Sequence, residues 1–402
     1  MTQSEMTKGA LLVLNSGSSS VKFTIFQVGS KAQDQVSPLF AGQLTGIGTD
    51  ANLKAKTSEG KLITNESWAD KDRGSVPAIL PHLLEWIETN LPADLPLKAA
   101  GHRVVHGGET YDKPVLVQGD VFKKLADLSP LAPLHQPQNL AAIEALANSR
   151  PELPQVACFD TAFHQTQPPL STTYAIPKRY TDEGVRRYGF HGLSYEYIAH
   201  NLRENKPDLA KGRVVVAHLG NGASLTALDN GVSVETSMGF SALDGVPMGT
   251  RPGSLDAGIL IHLMRTYDMD ADDLEKLLYH QCGLLGVSNI SNDMRELEEN
   301  SDPNAQLAVD LFSIKVAKQI ASLAITLGGI DGLIFTAGIG EHGPIIRKKI
   351  CDYLAWIGFE LDVAANDANE ELISTESSIP VYIIPTDEEL MIARHTVNVL
   401  SA

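Results

Sequence analysis

The chain of 402 residues is 43% hydrophobic and 20% charged, a globular composition too large for one ordinary core, and so predicts two domains. Its formal net charge of −17 excludes nucleic acid and anionic membrane surfaces as partners, because both require a basic face, and no apolar run is long enough to cross a bilayer. Cys158, Cys282 and Cys351 are widely spaced without metal-ligand spacing, and residues 1–10 lack the basic region of a secretory signal, so a cytoplasmic location is expected.

The first predicted strand, 11–14, runs straight into Asn15-Ser16-Gly17-Ser18-Ser19-Ser20 and then Val21-Lys22. A glycine backbone, hydroxyls, an amide side chain and an ammonium converge in this turn, which suits a phosphate. Residues 21–27 are β-branched or aromatic at most positions, so a hairpin follows and not the helix of a P-loop. The stretch 46–74 is polar and glycine-punctuated and reads as a surface excursion. Leu80, Leu83, Leu84 and Ile87 predict a helix over 78–90, and strands are expected at 101–106 and 154–159.

In the second half, strands are expected at 213–219, 223–228, 232–236, 331–337 and 380–385, with Asn230-Gly231 as a hairpin turn. A long helix over 303–327 places Leu307, Leu311, Ile314 and Ile320 at approximately helical spacing. Gly220-Asn221-Gly222-Ala223-Ser224 repeats the opening plan of strand, turn and strand, which predicts an internal duplication with one phosphate turn per half. Strands alternating with helices give the α/β class.

A series of longer stretches then falls in order: NSGSSSVK at 15–22, GHRVVHGGE at 101–109, SPLAPLHQPQN at 129–139, VACFDTAFHQ at 156–165, RRYGFHG at 186–192, HLGNGAS at 218–224, TSMGF at 236–240, MGTRPG at 248–253, FTAGIGE at 335–341 and PTDEELMIAR at 385–394. Through them the chain resembles the acetate and propionate kinase family, in the superfamily that also holds sugar kinases, actin and the heat-shock chaperone ATPases. The resemblance implies a duplicated actin-like, ribonuclease H-like two-domain architecture with a cleft between the domains that closes to exclude water. Residues 1–160 with 386–402 would form the N-terminal domain, and 161–385 the C-terminal, nucleotide-binding one. It also implies reversible phosphorylation of acetate by ATP with Mg2+, for which Mn2+ could substitute, in a homodimer.

A carboxylate is already ionised at neutral pH and needs no base. The obstacle is repulsion between anions, so catalysis should consist of in-line positioning and donors aimed at the transferring phosphoryl group. By resemblance Arg103 and Arg251 are paired active-site arginines, whose planar guanidinium groups fork onto carboxylate or phosphoryl oxygens. His191 is expected to donate to the transferring group, His135 to support the same oxygens, and His218 to pack behind the turn. Asp160 and Glu388 would organise the metal with Asn15. Nucleotide contacts are implied for Lys22, Ser18, Asn221, Gly222, Asp293, Arg295, Gly338, Ile339, Gly340 and His342, and substrate contacts for Arg103, Val105, Leu134, His135, Phe190 and Ala242.

Four positions depart from the family pattern. The usual HGTSH reads His191-Gly192-Leu193-Ser194-Tyr195, His342 follows GIGE where asparagine is common, Asp387 replaces a frequent asparagine, and Ala242 replaces a proline of the substrate pocket. Loss of that ring would enlarge the pocket while Val105 keeps it short, and a methylene is worth only about 1 to 3 kcal/mol of discrimination. Acetate is therefore the expected first substrate and propionate a secondary one. The alternatives are propionate as the main substrate, a sugar kinase in which Asp160 serves as base to a hydroxyl, and a nucleotide-gated chaperone or filament protein.

Overall fold

The computed structural model describes residues 8–17, 19–29, 36–71 and 74–402. The chain divides into two units, one comprising the chain up to Phe163 together with Asp387–Ala402, the other His164–Thr386.

In the first unit, eight strands form one sheet in the order β5-β4-β3-β2-β1-β6-β8-β7. They are β1 (Gly9–Ser16), β2 (Val21–Val28), β3 (Val36–Thr45), β4 (Asn52–Thr57), β5 (Leu62–Ser67), β6 (Leu97–Val104), β7 (Val115–Leu116) and β8 (Gln155–Phe159). Leu11 to Leu14 are buried throughout, as expected for a strand covered on both faces. β1 and β2 form the expected hairpin, with Asn15 opposite Lys22 and Ser16 opposite Val21, and the Gly17 amide donates to the Ser20 carbonyl at 2.9 Å to close the turn.

Residues 46–74 correct the sequence reading. They contain β4 and β5, which add two antiparallel strands to the sheet. Leu53 and Ala55 are buried while Lys54 and Lys56 face solvent, so the polar composition belongs to a one-sided edge of the sheet and not to a loop.

Helix α1 (Val76–Asn90) buries Val76, Ile79, Leu80, Leu83, Leu84 and Ile87 in one stripe against the sheet core and packs on α2 (Gln136–Ser149). The C-terminal helix of this unit, Glu388–Ser401, lies against β1, β6 and β8. It approaches β6 so closely that a Cβ on Gly101 would meet Ile392 Cγ2 at 2.7 Å and run into Thr396 Oγ1. Glycine there sets the depth of the helix and hence the height of Glu388 beside β6.

The second unit holds a five-stranded sheet ordered β11-β10-β9-β12-β13, from β9 (Arg213–Leu219), β10 (Ala223–Asp229), β11 (Val232–Thr236), β12 (Gly332–Thr336) and β13 (Val381–Ile383). Its plan repeats that of β3-β2-β1-β6-β8: three antiparallel strands followed by two parallel ones. The fold is therefore a duplicated α/β arrangement, with the tips of the β1–β2 and β9–β10 hairpins in equivalent places.

Helices of this second unit include α3 (Gly192–Asn205), α4 (Ala257–Tyr267), α5 (Ala271–His280) and α6 (Pro303–Leu327). Asp302 caps α6 by accepting from the Asn304 amide, Pro303 opens it and Gly328 closes it in the left-handed region. Its buried face is Ala305, Ala308, Val309, Phe312, Val316, Ile320 and Leu323; Ile320 is buried as read from the sequence, but Leu311 and Ile314 are only partly buried and Leu307 is 57% exposed, which corrects the rest of that apolar face. After β12 come α7 (Ala337–His342) and α8 (Pro344–Tyr353), and the Glu388–Ser401 helix becomes α9. Among the described residues, no helix is long and apolar enough to cross a membrane.

Two buried histidines on and after β6 tie stability to pH. Burial pushes His102 down to about 4 against a hydrogen bond with Gln155, and pushes His106 down to about 4. Both rings stay neutral in the fold while the unfolded chain takes up protons near pH 6.5. Stability should therefore fall as pH drops from about 6.5 towards 4, by up to about 3 kcal/mol per ring. Urea midpoints between pH 7.5 and pH 5 test this, since His102→Gln should flatten the pH dependence. Retention of the full wild-type slope in both His102→Gln and His106→Gln would remove these rings as its source.

Candidate active site

The first unit assembles a compact charged cluster. Arg103 on β6 donates from Nε to Asp160 at 2.9 Å and from Nη2 to the same carboxylate at 2.5 Å, and from Nη1 to Asn15 Oδ1 at 3.3 Å. Glu388, the first residue of α9, stands 3.9 Å from the Arg103 Nε. Burial opposes the charge on Arg103, but Asp160 and Glu388 outweigh it and raise its pKa. The arginine fork is thus held by the carboxylate that ends the buried strand β8.

Glu388 is in the opposite situation. Burial pushes its carboxyl up to about 7; Arg103 pulls the other way, while Asp160 and Glu389 add to the rise and Lys22 opposes it. Three carboxylates facing one guanidinium leave the cluster short of positive charge. Lys22 lies at the end of the hairpin, lining a groove of about 530 Å³ with Lys54, Lys56 and Glu389.

Helix α2 fixes the backbone around this cluster, through residues sequence reasoning missed. Asn139 accepts from the Val105 amide at 3.0 Å and donates to the Ser16 carbonyl at 2.7 Å, joining the phosphate turn to the segment after β6. Gln136 does the same for both backbone groups of His106. Both sit inside the 129–139 motif, where their burial was the missing signal. His135 occupies the N-cap position of α2 and Leu134 precedes it, both half-buried. Ser18 falls outside the described residues.

The second unit gathers His191, Arg251, Asn221 and Gly222. His191 precedes α3 in the left-handed region at φ 58°, an unusual conformation for a non-glycine residue, which turns its ring back toward β10, where Nδ1 lies 2.8 Å from Ser224 Oγ. His218 stacks on it with ring centroids 4.3 Å apart, held in turn by Ser194 Oγ at 2.8 Å from its Nδ1. Arg251 donates from Nη1 to the Ala242 carbonyl at 2.8 Å, which ties the departing position Ala242 to the site through its backbone. A Cβ built on Gly222 would lie 2.8 Å from Arg251 Nη2 and 3.4 Å from His191 Nε2, so the guanidinium and the imidazole converge on the turn after β9.

Beside that turn opens a pocket of about 590 Å³, the size of a small-molecule site. Asn221, Asp293, Arg295, Gly338, Ile339 and His342 all line it, which brings together most of the residues implied for the nucleotide. Asp293 caps the short helix Met294–Glu298 and pairs with Arg295, whose side chain is largely in solvent. Gly340 instead lies beneath, its carbonyl accepting from the fully buried Arg347 at 2.9 Å, while Arg347 also donates to Asn366 and Asn369. Of the implied substrate lining, Val105, Leu134 and His135 belong to the first unit and Phe190 and Ala242 to the second.

Two hairpin turns, arginines held over them, paired carboxylates and a nucleoside-sized pocket define a duplicated α/β protein equipped to handle phosphate groups. Residues 10–394 match the model of the acetokinase family. An acetate kinase of Nitrobacter hamburgensis is 49% identical over 392 residues, covering 97% of this chain and 96% of that protein. Among solved structures, a propionate kinase from Francisella tularensis superposes with a TM-score of 0.88 at 38% identity, covering 96% and 98% of the two chains. The acetate kinase of Porphyromonas gingivalis gives 0.87 at 34% identity, covering 98% and 100%. The chain belongs to the acetokinase family.

Proposed function

We propose that this chain is an acetate kinase, moving the γ-phosphoryl group of ATP onto a carboxylate oxygen of acetate to give acetyl phosphate and ADP, reversibly and in line. The observation that carries this reading is the 47 to 49% identity to curated acetate kinases over nearly the whole chain. In the second unit the pocket takes the adenosine, the Asn221–Gly222 turn takes the phosphates, and Arg251 and His191 donate to the oxygens of the transferring group. In the first unit Arg103 orients the acetate carboxylate, His135 and Lys22 add donors, and Val105 and Leu134 supply an apolar wall.

The donor set fits a magnesium ion, which favours a few carboxylates together with water and phosphate oxygens. Glu388, driven up by burial beside Asp160 and Glu389, marks a place where added positive charge is favourable. Asn15, Asp160 and Glu388 would hold Mg2+, or Mn2+ in its place. When bound, the ion neutralises phosphate charge.

Trapping with hydroxylamine tests the activity directly: ATP and acetate should give acetohydroxamate, and ATP with hexoses should give no phosphorylated product. Hexose phosphorylation without hydroxamate would replace this reading with a sugar kinase. Run in parallel, propionate should be accepted with a lower kcat/KM than acetate. A kcat/KM for propionate tenfold above that for acetate would reverse the order and make propionate the main substrate.

The protein works as a homodimer. Helix α4 has no buried residue, yet Ile259, Ile261, Met264 and Tyr267 are 44 to 66% exposed on it, an apolar surface that a second copy of this chain covers. Light scattering should give twice the 43.3 kDa chain mass, and Ile261→Asp with Met264→Asp should give the single mass. A wild-type monomer at micromolar concentration would refute the dimer.

A further inference from the structure

Tyr195 stands where the family pattern has a second histidine, and it is fully buried one turn into α3. Its phenol oxygen lies 2.5 Å from Ser224 Oγ, and that same serine oxygen lies 2.8 Å from His191 Nδ1. The Tyr195 ring packs edge-on against His164 and His218, and His218 stacks on His191 from the far side. The buried phenol and alcohol and the half-buried imidazole therefore form one hydrogen-bonded file.

We infer that Tyr195 is a positioning residue that sets which nitrogen of His191 carries the proton. The inference rests on the role proposed above for His191. A phenol is a stronger donor and weaker acceptor than an aliphatic alcohol, so the Tyr195 hydroxyl donates to Ser224 Oγ. Ser224 must then turn its own O–H toward Nδ1 of His191. A neutral imidazole that accepts at Nδ1 carries its proton on Nε2. Nε2 is the nitrogen that approaches the Gly222 turn, so the file delivers an N–H donor to the place where phosphoryl oxygens are bound. With the file reversed, Nε2 would present a lone pair there and repel them. The hydroxyl of Tyr195 replaces, by a different atom, the support that a histidine at this position would offer.

The test combines kinetics with imidazole 15N spectra of the full-length protein. Wild-type His191, assigned by its absence in His191→Gln, should show a protonated Nε2 and an unprotonated Nδ1. Tyr195→Phe should move both signals toward a mixture of tautomers and lower kcat about tenfold, the loss of one hydrogen bond's discrimination, with the KM for ATP and for acetate unchanged. Tyr195→His should restore most of kcat. In a His191→Ala background, Tyr195→Phe should cause no further loss, because the tyrosine acts only through that ring. Ser224→Ala breaks the file from its other end and should reproduce the spectral change. An unaltered His191 spectrum in both Tyr195→Phe and Ser224→Ala, or an additive loss in the double variant, overturns the inference. If His191→Ala itself keeps wild-type turnover, the role of His191 fails instead, and the spectra still decide whether Tyr195 sets the tautomer.

Discussion

Replacing Arg251 by alanine is expected to lower kcat by on the order of 10³, the scale at which an arginine stabilises a transferring phosphoryl group. One guanidinium nitrogen is spent on the Ala242 carbonyl, which fixes the side chain, while the other approaches the Gly222 turn. Water can take over the half-buried carbonyl once the side chain is gone, so melting should stay close to wild type. Arg103→Ala is expected to lower kcat by a similar order of magnitude, but for two reasons that must be separated. It removes the fork proposed to orient the carboxylate substrate, and it leaves Asp160, 1% exposed, as a buried charge without its partner. That second effect should destabilise the fold by about 3 to 5 kcal/mol, whereas the catalytic loss is read at a temperature where the variant is fully folded. Arg103→Lys keeps the charge and loses the fork, so it should recover stability more than turnover. Near-normal kcat in both alanine variants would remove the arginines from the reaction.

The same residues show what a sequence can disclose about such a site. Arg103, Arg251, His191 and Asn221 stand in short motifs with glycine or a strand end beside them, and their residue types already match phosphate chemistry. The hairpin at Asn15 to Lys22 was legible because a continuous apolar run ends at a turn too polar to be core and a β-branched and aromatic stretch follows it. Helix α6 was legible in extent, since Asp302, Pro303 and Gly328 mark its ends, but not in orientation. It is apolar nearly all round, so only the neighbours decide that Phe312 and Val316 face inward and Leu307 outward. Strands β4 and β5 were hidden by composition, because an edge with one wet face carries lysines, threonines and asparagines that also make loops. Least legible were the supports: Asn139, Gln136, Ser224 and Arg347 act through partners up to 123 residues away, or through a ring whose direction depends on a left-handed residue. No local pattern encodes a contact whose two ends are brought together by the sheet.

Gly222→Ala is the sharper probe of that convergence, because it adds a single methyl group and removes nothing. The new Cβ would stand 2.8 Å from Arg251 Nη2, inside contact distance, and 3.4 Å from His191 Nε2. Arg251 ends in a flexible side chain and can withdraw, so folding should survive with little change in melting temperature. Withdrawal is the point of the experiment: a displacement of about 1 Å in a positioned group can lower turnover by on the order of 10², and that is the loss expected in kcat. The KM for ATP should rise less, since the pocket proposed for the adenosine is lined by other residues. Gly338→Ala supplies the contrast, for a Cβ there meets nothing within 4 Å although the residue lines the pocket. That variant should keep kcat and alter only nucleotide affinity. If Gly222→Ala turned over as fast as wild type, Arg251 and His191 could not both be working at the turn where the structure brings them together.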